Sequence, residues 1–360
     1  MKHIPSASLV IPFALLMSLP AWAQFPALDT ASSLNLDSSP APSPNHFGLS
    51  YRLGFNVPVS FAHLGGFPAL SIARYTPDGD RYNYDNGYVL PIGRGNPTPY
   101  SYYWGYDNAS QVSGNSTIVM QRSSSAATAS SNDHYDTPMS GFELSYNREL
   151  VHRDSWRGGL EGAFGYTYVS VHDAATQPAS VTRVNDTYSF PAGNGFTVPA
   201  APYTGRKSSP GALIVASPRS STTDILPDGA SINGTRNFNA DLFSFRWGPY
   251  VEFPLNERIA FALSGGFALM YVDSEFNYHE TVTIPGSGSV GHQASGSANE
   301  WLPGGYIAGR FSVALSHSWA LIAGAQVEDL GRFTQTLNSK QATMDLSKSI
   351  FVTVGLSYSF

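Results

Sequence analysis

The 360-residue sequence contains no cysteine, has few lysines, and carries only 13% charged residues. Without cysteine there is no disulfide framework, no thiol chemistry and no site for a lipid-modified cysteine. The scarcity of lysine and the formal net charge of -6 exclude the dense basic patches that nucleic-acid binding requires. The composition therefore argues against a nucleic-acid partner.

Long apolar runs are also missing after the N-terminal region. The nearest is residues 259–272, which is too short for a membrane-spanning helix and carries Gly265 and Gly266 at its centre. Glycine, serine, tyrosine and phenylalanine are abundant, and this composition suits twisted strands better than helices. If the chain enters a membrane, we expect it to do so with strands.

Residues 1–23 have the features of a secretory signal peptide. A short basic head precedes an apolar stretch at 9–19, and a small-x-small cleavage pattern ends at Ala23. The apolar stretch is shorter than the roughly 20 residues of a spanning helix, so we expect cleavage after Ala23. Residues 24–45, rich in proline, serine and alanine, are expected to form a flexible leader, and 46–360 the folded domain.

The folded domain repeats a two-residue alternation of apolar with small or polar side chains. Alternate residues of a strand point to opposite faces, so each such stretch predicts a strand with one apolar face. Eight stretches have this pattern: 47–61, 141–147, 159–169, 242–253, 259–271, 306–315, 319–328 and 350–360. Pro58 marks a strand end or a bulge in the first of them.

The connections between these strands alternate between long and short. The long ones lie at about 62–140, 172–241, 273–299 and 329–347. Transmembrane barrels have short periplasmic turns and long outside loops, whereas a soluble β-sandwich gives no reason for loop length to follow strand parity. We therefore predict an all-β fold, a single antiparallel up-and-down transmembrane β-barrel of eight strands. Two further apolar segments, 116–121 and 212–217, leave ten strands as the alternative.

The apolar face of each strand is assigned to lipid, because an arginine on the lipid face near the bilayer midplane costs about 2–4 kcal/mol. The opposite face then lines the lumen. Its charged residues are Arg52, Glu143, Glu161, Arg246, Glu252, Arg310 and Glu328. An eight-stranded barrel is just wide enough inside for side chains, so we expect paired charges to fill it. A channel for ions or small solutes is the alternative.

Aromatic residues fall near both ends of the predicted strands, as in the girdles that flank the apolar band of membrane barrels. The periplasmic row consists of Trp156, Phe253, Trp319, Tyr358 and Phe360. The outer row consists of Phe61, Tyr168, Phe243, Tyr271 and Trp301.

The last strand carries a more specific pattern. Phe360 is the final residue, Tyr358 lies two residues before it, and Leu356 and Val354 continue the alternation. This strand resembles the terminal strand of bacterial outer-membrane proteins, and the chain resembles the eight-stranded outer membrane protein A and X type, with longer first and second loops. The resemblance implies that barrel-assembly machinery recognises the strand, that it pairs with the first strand, and that outer-membrane lipid surrounds the barrel.

The long loops are the natural place for function. The first loop holds a dense aromatic cluster, Tyr100, Tyr102, Tyr103, Trp104 and Tyr106. Aromatic side chains there either bind an extracellular ligand, such as a sugar, or pack the loop into a cap over the barrel mouth. The second loop is predicted to be irregular and has no motif.

The sequence offers no metal or cofactor signature. Asp78, Asp80, Asp85 and Asn86 supply oxygen atoms, but their spacing matches no calcium loop, and Asp-Gly and Asn-Gly turns account for them.

Some eight-stranded barrels are lipid A-modifying enzymes, which makes histidine–serine combinations worth weighing. His317–Ser318 falls in a predicted periplasmic turn, and His279–Glu280 and His292 have no nucleophile motif beside them. Catalysis needs a nucleophile, a base and an orienting acid that converge. We therefore predict no enzymatic activity, and a structural, adhesive or surface-interaction role. A channel and a lipid A-modifying enzyme are the alternatives.

Overall fold

The computed structural model of the chain describes residues 44–70, 73–76, 79–90, 99–136, 138–192, 196–206 and 211–360, and the side chains of 73–82 are not described. The described strands belong to one compact unit, Ser43–Phe360. The predicted signal peptide, 1–23, and the predicted leader as far as residue 43 lie outside the described residues. Within the described part of the chain, no helix is long and apolar enough to cross a membrane.

The described residues form 22 strands and a 3₁₀ turn, Ala109–Gln111. The first ten strands are β1 (Asn45–Phe55), β2 (Pro58–Ala62), β3 (Ala73–Thr76), β4 (Gly79–Tyr84), β5 (Gly87–Val89), β6 (Tyr100–Ser101), β7 (Trp104–Tyr106), β8 (Val112–Ser113), β9 (Thr117–Ser124) and β10 (His134–Tyr135). The next six are β11 (Met139–His152), β12 (Arg157–Asp173), β13 (Gln177–Ser189), β14 (Tyr203–Thr204), β15 (Ile214–Val215) and β16 (Ser220–Pro254). The last six are β17 (Ile259–Ile284), β18 (Gly288–Ala314), β19 (Trp319–Asp329), β20 (Arg332–Leu337), β21 (Lys340–Asp345) and β22 (Ser349–Ser359).

Eight of these strands close a ring by antiparallel pairing. The order is β1, β11, β12, β16, β17, β18, β19, β22 and back to β1. Segment 116–121 falls in β9 and segment 212–217 contains β15, and both lie outside the ring. The fold is an all-β, antiparallel up-and-down barrel.

Three barrel strands are much longer than expected. β16, β17 and β18 contain 35, 26 and 27 residues, whereas about 9–11 cross a bilayer. The prediction that 172–241 and 273–299 are loops is therefore wrong over most of their length. The first contains β13 and the start of β16, and the second is a hairpin closed by the turn 285–287.

The extension arises because the alternation continues while its apolar face changes sides. On β17 the outward, odd-numbered residues are apolar up to Tyr271 and polar or charged from Asp273 onward. The inward, even-numbered residues become large and apolar, as at Val272, Phe276 and Ile284, all of which are fully buried. The inversion marks the level at which the outside of the sheet passes from lipid to water.

Above this level a second sheet covers the barrel interior. The capping sheet has the order β10–β2–β21–β20, and β2, β20 and β21 continue the barrel strands β1, β19 and β22. Phe61 of β2 stacks on Phe276 at 5.6 Å, and Phe333 of β20 contacts Phe238 at 6.2 Å between ring centroids. An apolar layer therefore closes the outer end of the barrel.

The first two long connections build an outer lobe, made of the described residues within 73–124 and 177–215. Strands β14, β7, β5, β4 and β3 form one sheet of the lobe, which packs against β9 and β13. Its core consists of Tyr84, Val89, Trp104, Tyr106, Ile118, Met120, Tyr188, Phe190 and Ile214. The lobe is thus a folded structure with its own apolar core.

Candidate functional site: the lumen and the outer end

An outward row of aromatic side chains runs around the barrel just below the inversion level. Phe142, Tyr166, Phe243, Tyr271 and Trp301 are successive neighbours, with centroid separations of 5.7, 5.4, 6.3 and 4.9 Å. Aromatic girdles of this kind mark the membrane–water interface of barrels. The row therefore locates the outer interface.

Two residues predicted for this row lie elsewhere. Tyr168 is exposed and lies one outward position beyond Tyr166 on β12. Phe61 is fully buried in the capping sheet, and its prediction is wrong because the chain turns inward at Asn56, where φ is +60°.

The opposite row is built by Trp156, Phe253, Trp319, Tyr358 and Phe360, which are all exposed. From Phe253 to Phe243, from Phe261 to Tyr271 and from Phe311 to Trp301, each strand covers eleven residues. That is the length a tilted strand needs to cross the hydrocarbon core.

Between the rows, large apolar side chains point away from the barrel. Ile307 is 72% exposed, Trp247 is 61% exposed and Leu49 is 56% exposed. A continuous apolar band of this size is not stable against water, and a bilayer is the solvent that matches it. The outer face of the barrel is the lipid face.

The inner face carries an ion network. Arg52 is 1% exposed, and its Nη2 donates to Glu328 Oε1 at 2.9 Å, while its Nη1 donates to Ser244 Oγ at 2.5 Å. Glu143 Oε2 lies 3.8 Å from Arg52 Nη1. The guanidinium also lies 3.7 Å over the ring of Phe351, a cation–π contact.

The network continues through a second arginine. Arg246 donates from Nη2 to Glu143 and from Nη1 to Glu161 Oε1, the latter at 3.1 Å. Arg310 Nη1 donates to the other oxygen of Glu161 at 3.0 Å. In the amide orientation that satisfies both neighbours, Asn147 accepts from Arg310 and donates to Glu161. Two arginines thus share the Glu161 carboxylate.

The structure brings together six of the seven predicted lumen residues. Glu252 lies apart, and its prediction as part of this network is wrong, because it lies near the end of β16, 3.8 Å from Arg157 and 20% exposed at its side chain. Without it the lumen holds three arginines and three glutamates, whose charges cancel. A cavity of about 20 Å³ lies against Glu143, Glu161, Arg246 and Arg310, and this is close to the smallest volume that holds one water.

A polar recess of about 180 Å³ opens at the periplasmic end of the lumen. His46 Nδ1 lies 2.8 Å from Ser359 Oγ on its wall, and Arg157, Glu252 and Arg310 also line it. The predicted pair His317–Ser318 borders this recess in the turn between β18 and β19.

A second buried ion cluster lies beneath the capping sheet and was missed by sequence reasoning. Arg236 Nε donates to Asp173 Oδ2 at 2.7 Å, and Arg236 Nη1 lies 3.8 Å from Glu280 Oε2. Lys340 Nζ lies 2.5 Å from Glu280 Oε1. All four side chains are at least 96% buried. They come from segments that the sequence predicts to be loops.

The cluster also ties down the backbone of the first connection. Glu280 Oε1 accepts from the Gly65 amide at 3.0 Å, and Lys340 Nζ donates to the His63 and Gly65 carbonyls at 3.2 and 2.7 Å. His292 Nε2 lies 2.7 Å from the Gly66 carbonyl. All four long connections therefore contribute to one buried site, which includes the predicted candidates Glu280 and His292.

The aromatic cluster of the first connection is divided by the fold. Trp104 and Tyr106 are buried in the outer lobe, where Trp104 Nε1 donates to the Ala212 carbonyl at 2.9 Å. Tyr100, Tyr102 and Tyr103 are half-buried. The five residues do not form one exposed surface, because Trp104 and Tyr106 belong to the core of the lobe.

The acidic positions of the first connection belong to turns where they are described. Asp85 and Asn86 form the tight turn between β4 and β5; Asp85 Oδ2 accepts from Ser287 Oγ at 2.7 Å, and Asn86 Oδ1 accepts from the Gln121 amide at 2.9 Å. Asp78 and the Asp80 side chain lie outside the described part. Among the described residues, no three histidine or acidic side chains are grouped to hold a metal.

The final strand joins the first along its whole length, from the pair His46–Ser359 to the pair Phe55–Ile350. Val354, Leu356, Tyr358 and Phe360 all face outward. The molecule therefore combines a closed ring of strands, an apolar outer band eleven residues high and two aromatic rows. The protein is a transmembrane β-barrel.

Several solved structures are similar to this barrel. Ail, the attachment invasion locus protein of Yersinia pestis, is 10% identical, with 89% of this chain and 100% of that chain covered and a TM-score of 0.30. The outer-membrane protease OmpT of Escherichia coli is 10% identical, with 89% and 98% covered and a TM-score of 0.30. The toluene transporter TodX of Pseudomonas putida is 7% identical, with 89% and 91% covered and a TM-score of 0.18. These likenesses concern the fold alone.

No known family matches the sequence of this barrel. No curated protein matches it either.

The presence of an outer-membrane protease among the similar structures contradicts the prediction that this barrel has no enzymatic activity. That prediction depended on the lack of a recognisable motif in the sequence. Catalytic groups are recognised by their geometry in the fold and not by their spacing in the chain, so the missing motif did not justify it. The prediction is withdrawn.

Proposed function

We propose that this barrel is a closed membrane anchor that presents a folded head outside the cell for surface interaction. The head consists of the capping sheet, the extensions of β16, β17 and β18, and the outer lobe. The observation that carries the proposal is the filled lumen. Three arginines and three glutamates pair across it, and the cavity beside Glu143, Glu161, Arg246 and Arg310 measures only about 20 Å³.

Two further features support a closed barrel over a channel. The charged layer is followed by the apolar layer under the capping sheet, so a solute would meet two barriers of opposite character. Moving an ion into such a layer without a partner is strongly unfavourable. The head also has a core of its own, which a loop that only surrounds a pore does not need.

Other parts of the proposal concern biogenesis. We infer that residues 1–23 direct export and are removed after Ala23. The final strand, with Val354, Leu356, Tyr358 and Phe360, is inferred to be the segment that the barrel-assembly machinery recognises. The ligand of the head is an extracellular surface component.

The test combines conductance with surface labelling. The mature protein, refolded into planar bilayers, should give no single-channel current above that of the bilayer alone. A cysteine introduced at the exposed position Asn233 should react with a membrane-impermeant maleimide in intact cells, since the chain has no cysteine of its own. Stable current steps would replace the closed anchor with a channel, and an Asn233→Cys variant that reacts only after cell lysis would place the head on the wrong side.

A further inference from the structure

The outer part of β18 is a free edge of the sheet. From Gly305 to Ala314 the strand lies between β17 and β19, but β19 ends at Asp329 and the chain continues into the capping sheet. From 288 to 304, β18 pairs with β17 alone, and none of the described strands pairs with its other side. β20 contacts β18 without pairing with it, through Gln335 Nε2, which donates to the Gly296 carbonyl at 2.7 Å.

The direction of the backbone groups on this edge follows from the bottom of the strand. The Ala314 amide donates to the Arg258 carbonyl on the β17 side, and the Leu315 amide donates to the Trp319 carbonyl on the β19 side. These directions alternate along a strand, and the register to β17 is unbroken, so the odd-numbered residues face the free edge. Pro303, which has no amide hydrogen, is odd-numbered, as expected at an edge. The free amides and carbonyls of the edge belong to Ser289, Gly291, Gln293, Ser295, Ser297 and Asn299.

The side chains of this edge leave it open to another strand. All six residues are exposed, and four of them are serine or glycine. Edges in natural proteins are usually protected by lysine, proline, an inward-pointing charge, a bulge or a covering element. Between 289 and 299 the strand has no charged residue, proline or bulge. An unprotected edge of this length is a template for strand pairing.

The inner side of the edge calls for apolar groups. Val290, Ala294 and Ala298 point inward but are only partly buried, and they pack against the apolar core. At the same level of the neighbouring strand β17, Phe276 and Val282 are fully buried. A strand added beside β18 would cover the three partly buried residues with every second side chain of its own.

The membrane end of the edge calls for a positive charge. Glu300 is exposed although its even number belongs to the inward face, and Asp329, at the end of β19, is exposed as well. Asp329 pairs with Gly305, the first residue of β18 below the edge. Two carboxylates therefore border the place where an added strand would begin.

A second copy of this chain in the same membrane does not fit the edge. β18 runs from the outside towards the membrane in every copy, and the two-fold axis of a membrane dimer is parallel to the membrane normal. The two edges would therefore run in the same direction, whereas symmetric pairing of identical edges is antiparallel. The partner is a different chain.

We propose that the free edge of β18 binds an extended segment of another protein, which adds as an antiparallel strand beside residues 289–299. Its alternate apolar side chains face the core, and a basic residue near its N-terminus meets Glu300 and Asp329. In this mode of recognition the main-chain hydrogen bonds supply affinity and the alternate side chains supply specificity. The inference rests on the proposed function, because it names the class of partner for the head. Conductance and labelling at residue 233 do not involve this edge, so either claim can fail alone.

The first test compares two substitutions of one residue. Ser297→Pro removes an amide from the free edge and leaves the bonds to β17 in place, whereas Ser297→Ala keeps the amide. The probe is a fluorescent peptide of about twelve residues in which threonine alternates with valine, with two lysines at its N-terminus. In vesicle-embedded mature protein, with empty vesicles as the blank, Ser297→Pro should weaken binding at least fivefold and Ser297→Ala less than twofold. Absence of binding to the unsubstituted protein, or equal effects of the two substitutions, would overturn the proposal.

The direction of the added strand has its own control. A second peptide of the same composition carries the two lysines at its C-terminus, where an antiparallel arrangement places them far from Glu300 and Asp329. It should bind at least threefold more weakly than the first peptide. Equal binding of the two peptides would contradict the antiparallel arrangement.

Disulfide capture tests the edge without proline. Because the chain has no cysteine, Gln293→Cys supplies one thiol on the edge, and His279→Cys supplies one at the paired position of β17. The first peptide with a central cysteine should form a disulfide with Gln293→Cys and not with His279→Cys, and equal capture would overturn the proposal. A disulfide-linked dimer of Gln293→Cys that excludes the peptide would make a second copy the occupant and would overturn it too. Heat-modifiable electrophoretic migration of each variant confirms that the barrel has folded.

Discussion

At the scale of single residues, six charges in the lumen depend on one another, and five of them are buried while Arg310 is partly exposed. Glu161 is the most connected, because its two oxygens accept from Arg246 at 3.1 Å and from Arg310 at 3.0 Å. A buried ion pair adds little net stability over apolar packing, but removing one partner leaves a charge that neither water nor protein compensates. For the stability of the barrel, the equal number of positive and negative charges in the lumen therefore matters more than any single ion pair.

Glu161→Gln should therefore destabilise the barrel by about 3–5 kcal/mol, because it leaves three arginines facing two carboxylates. Urea unfolding of the protein in lipid vesicles measures the loss. Glu252→Gln is the matched control, and it should cost less than about 1 kcal/mol because Glu252 is a partly exposed rim residue. Equal losses would mean that the lumen network is not a unit.

The outer lobe contains a buried polar group that gives it a pH dependence. Burial raises the pKa of the Tyr84 phenol above its ordinary value, and so do its hydrogen bonds with Tyr188 and Asp186, at 2.6 and 2.8 Å. A raised pKa in the folded state means that the unfolded chain loses this proton first. The stabilisation is complete below the ordinary pKa of about 10 and declines as the pH rises above it.

We predict that the lobe loses stability between about pH 10 and pH 12, and that Tyr84→Phe removes much of this alkaline loss. Tryptophan fluorescence reports it, because Trp104 is fully buried in the lobe's core. Tyr51→Phe, at an exposed tyrosine on the lipid face, is the control and should leave the alkaline transition in place. An unchanged transition in Tyr84→Phe would contradict the assignment.

At the scale of elements, β17 is one continuous strand whose side chains alternate between inside and outside, and its outer face meets lipid first and then water. Phe267 is 52% exposed and faces lipid, whereas Phe276, nine residues further along, is fully buried under the capping sheet. The strand keeps its direction and its pairing with β16 and β18 throughout. The same residue type therefore has two roles on one strand.

Phe276→Ala should weaken the head, since truncating a buried phenylalanine costs about 3–5 kcal/mol. The expected result is faster proteolysis of the head in membrane-embedded protein, because cleavage follows the population of the open form. Phe267→Ala removes the same group from the lipid face and should leave head proteolysis unchanged. Equal cleavage rates in the two variants would contradict the inversion.

The terminal strand gives a prediction about assembly. Deleting Phe360 should reduce the amount of heat-modifiable barrel in the outer membrane at least severalfold, because it removes the last outward aromatic residue and its contact with Tyr358 at 6.2 Å. Ser359→Ala, one residue earlier on the inner face, is the control. Normal barrel levels without Phe360 would remove the proposed recognition role of this residue.

The strands differ in how well the sequence predicts them. The eight-strand ring is predictable because lipid-facing residues alternate with small ones, as in β22. The extensions are not, because their apolar residues switch sides at Tyr271 and Val272 and the pattern reads as interrupted. The extension of β18 is still harder to recognise in the sequence, because serine, glycine and alanine make up most of 286–298. The inward bend at Asn56 depends on tertiary packing of Phe61.

The candidate site was predictable to the same extent. The lumen residues follow from strand parity, and only Glu252 falls outside, because parity gives the face of a strand and not the depth along it. The second cluster lay in predicted loops. Arg236 has the same even parity on β16 as Arg246, so continuing the count ten residues further would have placed it inside. No local signal points to Lys340.

At the scale of the whole molecule, layers of different chemistry follow one another along the barrel axis. A polar recess, a neutral ion network and an apolar core succeed each other from the periplasmic end outward, and the second ion cluster lies beneath the capping sheet. The outer surface changes once, from apolar to polar, above the outer aromatic row. The interior and the exterior thus exchange character at the same level, as expected where a strand passes from lipid into water.

The central claim, that lipid ends and water begins between Tyr271 and Asp273 on one continuous strand, can be tested directly by a spin-label scan. Single cysteines at odd positions from 261 to 283 would each carry a nitroxide in vesicle-embedded protein, with oxygen as the apolar relaxant and a nickel complex as the polar one. We predict that oxygen dominates through 271 and the nickel complex from 273 onward. Oxygen dominance that continued beyond 277, or no change along the series, would contradict the account.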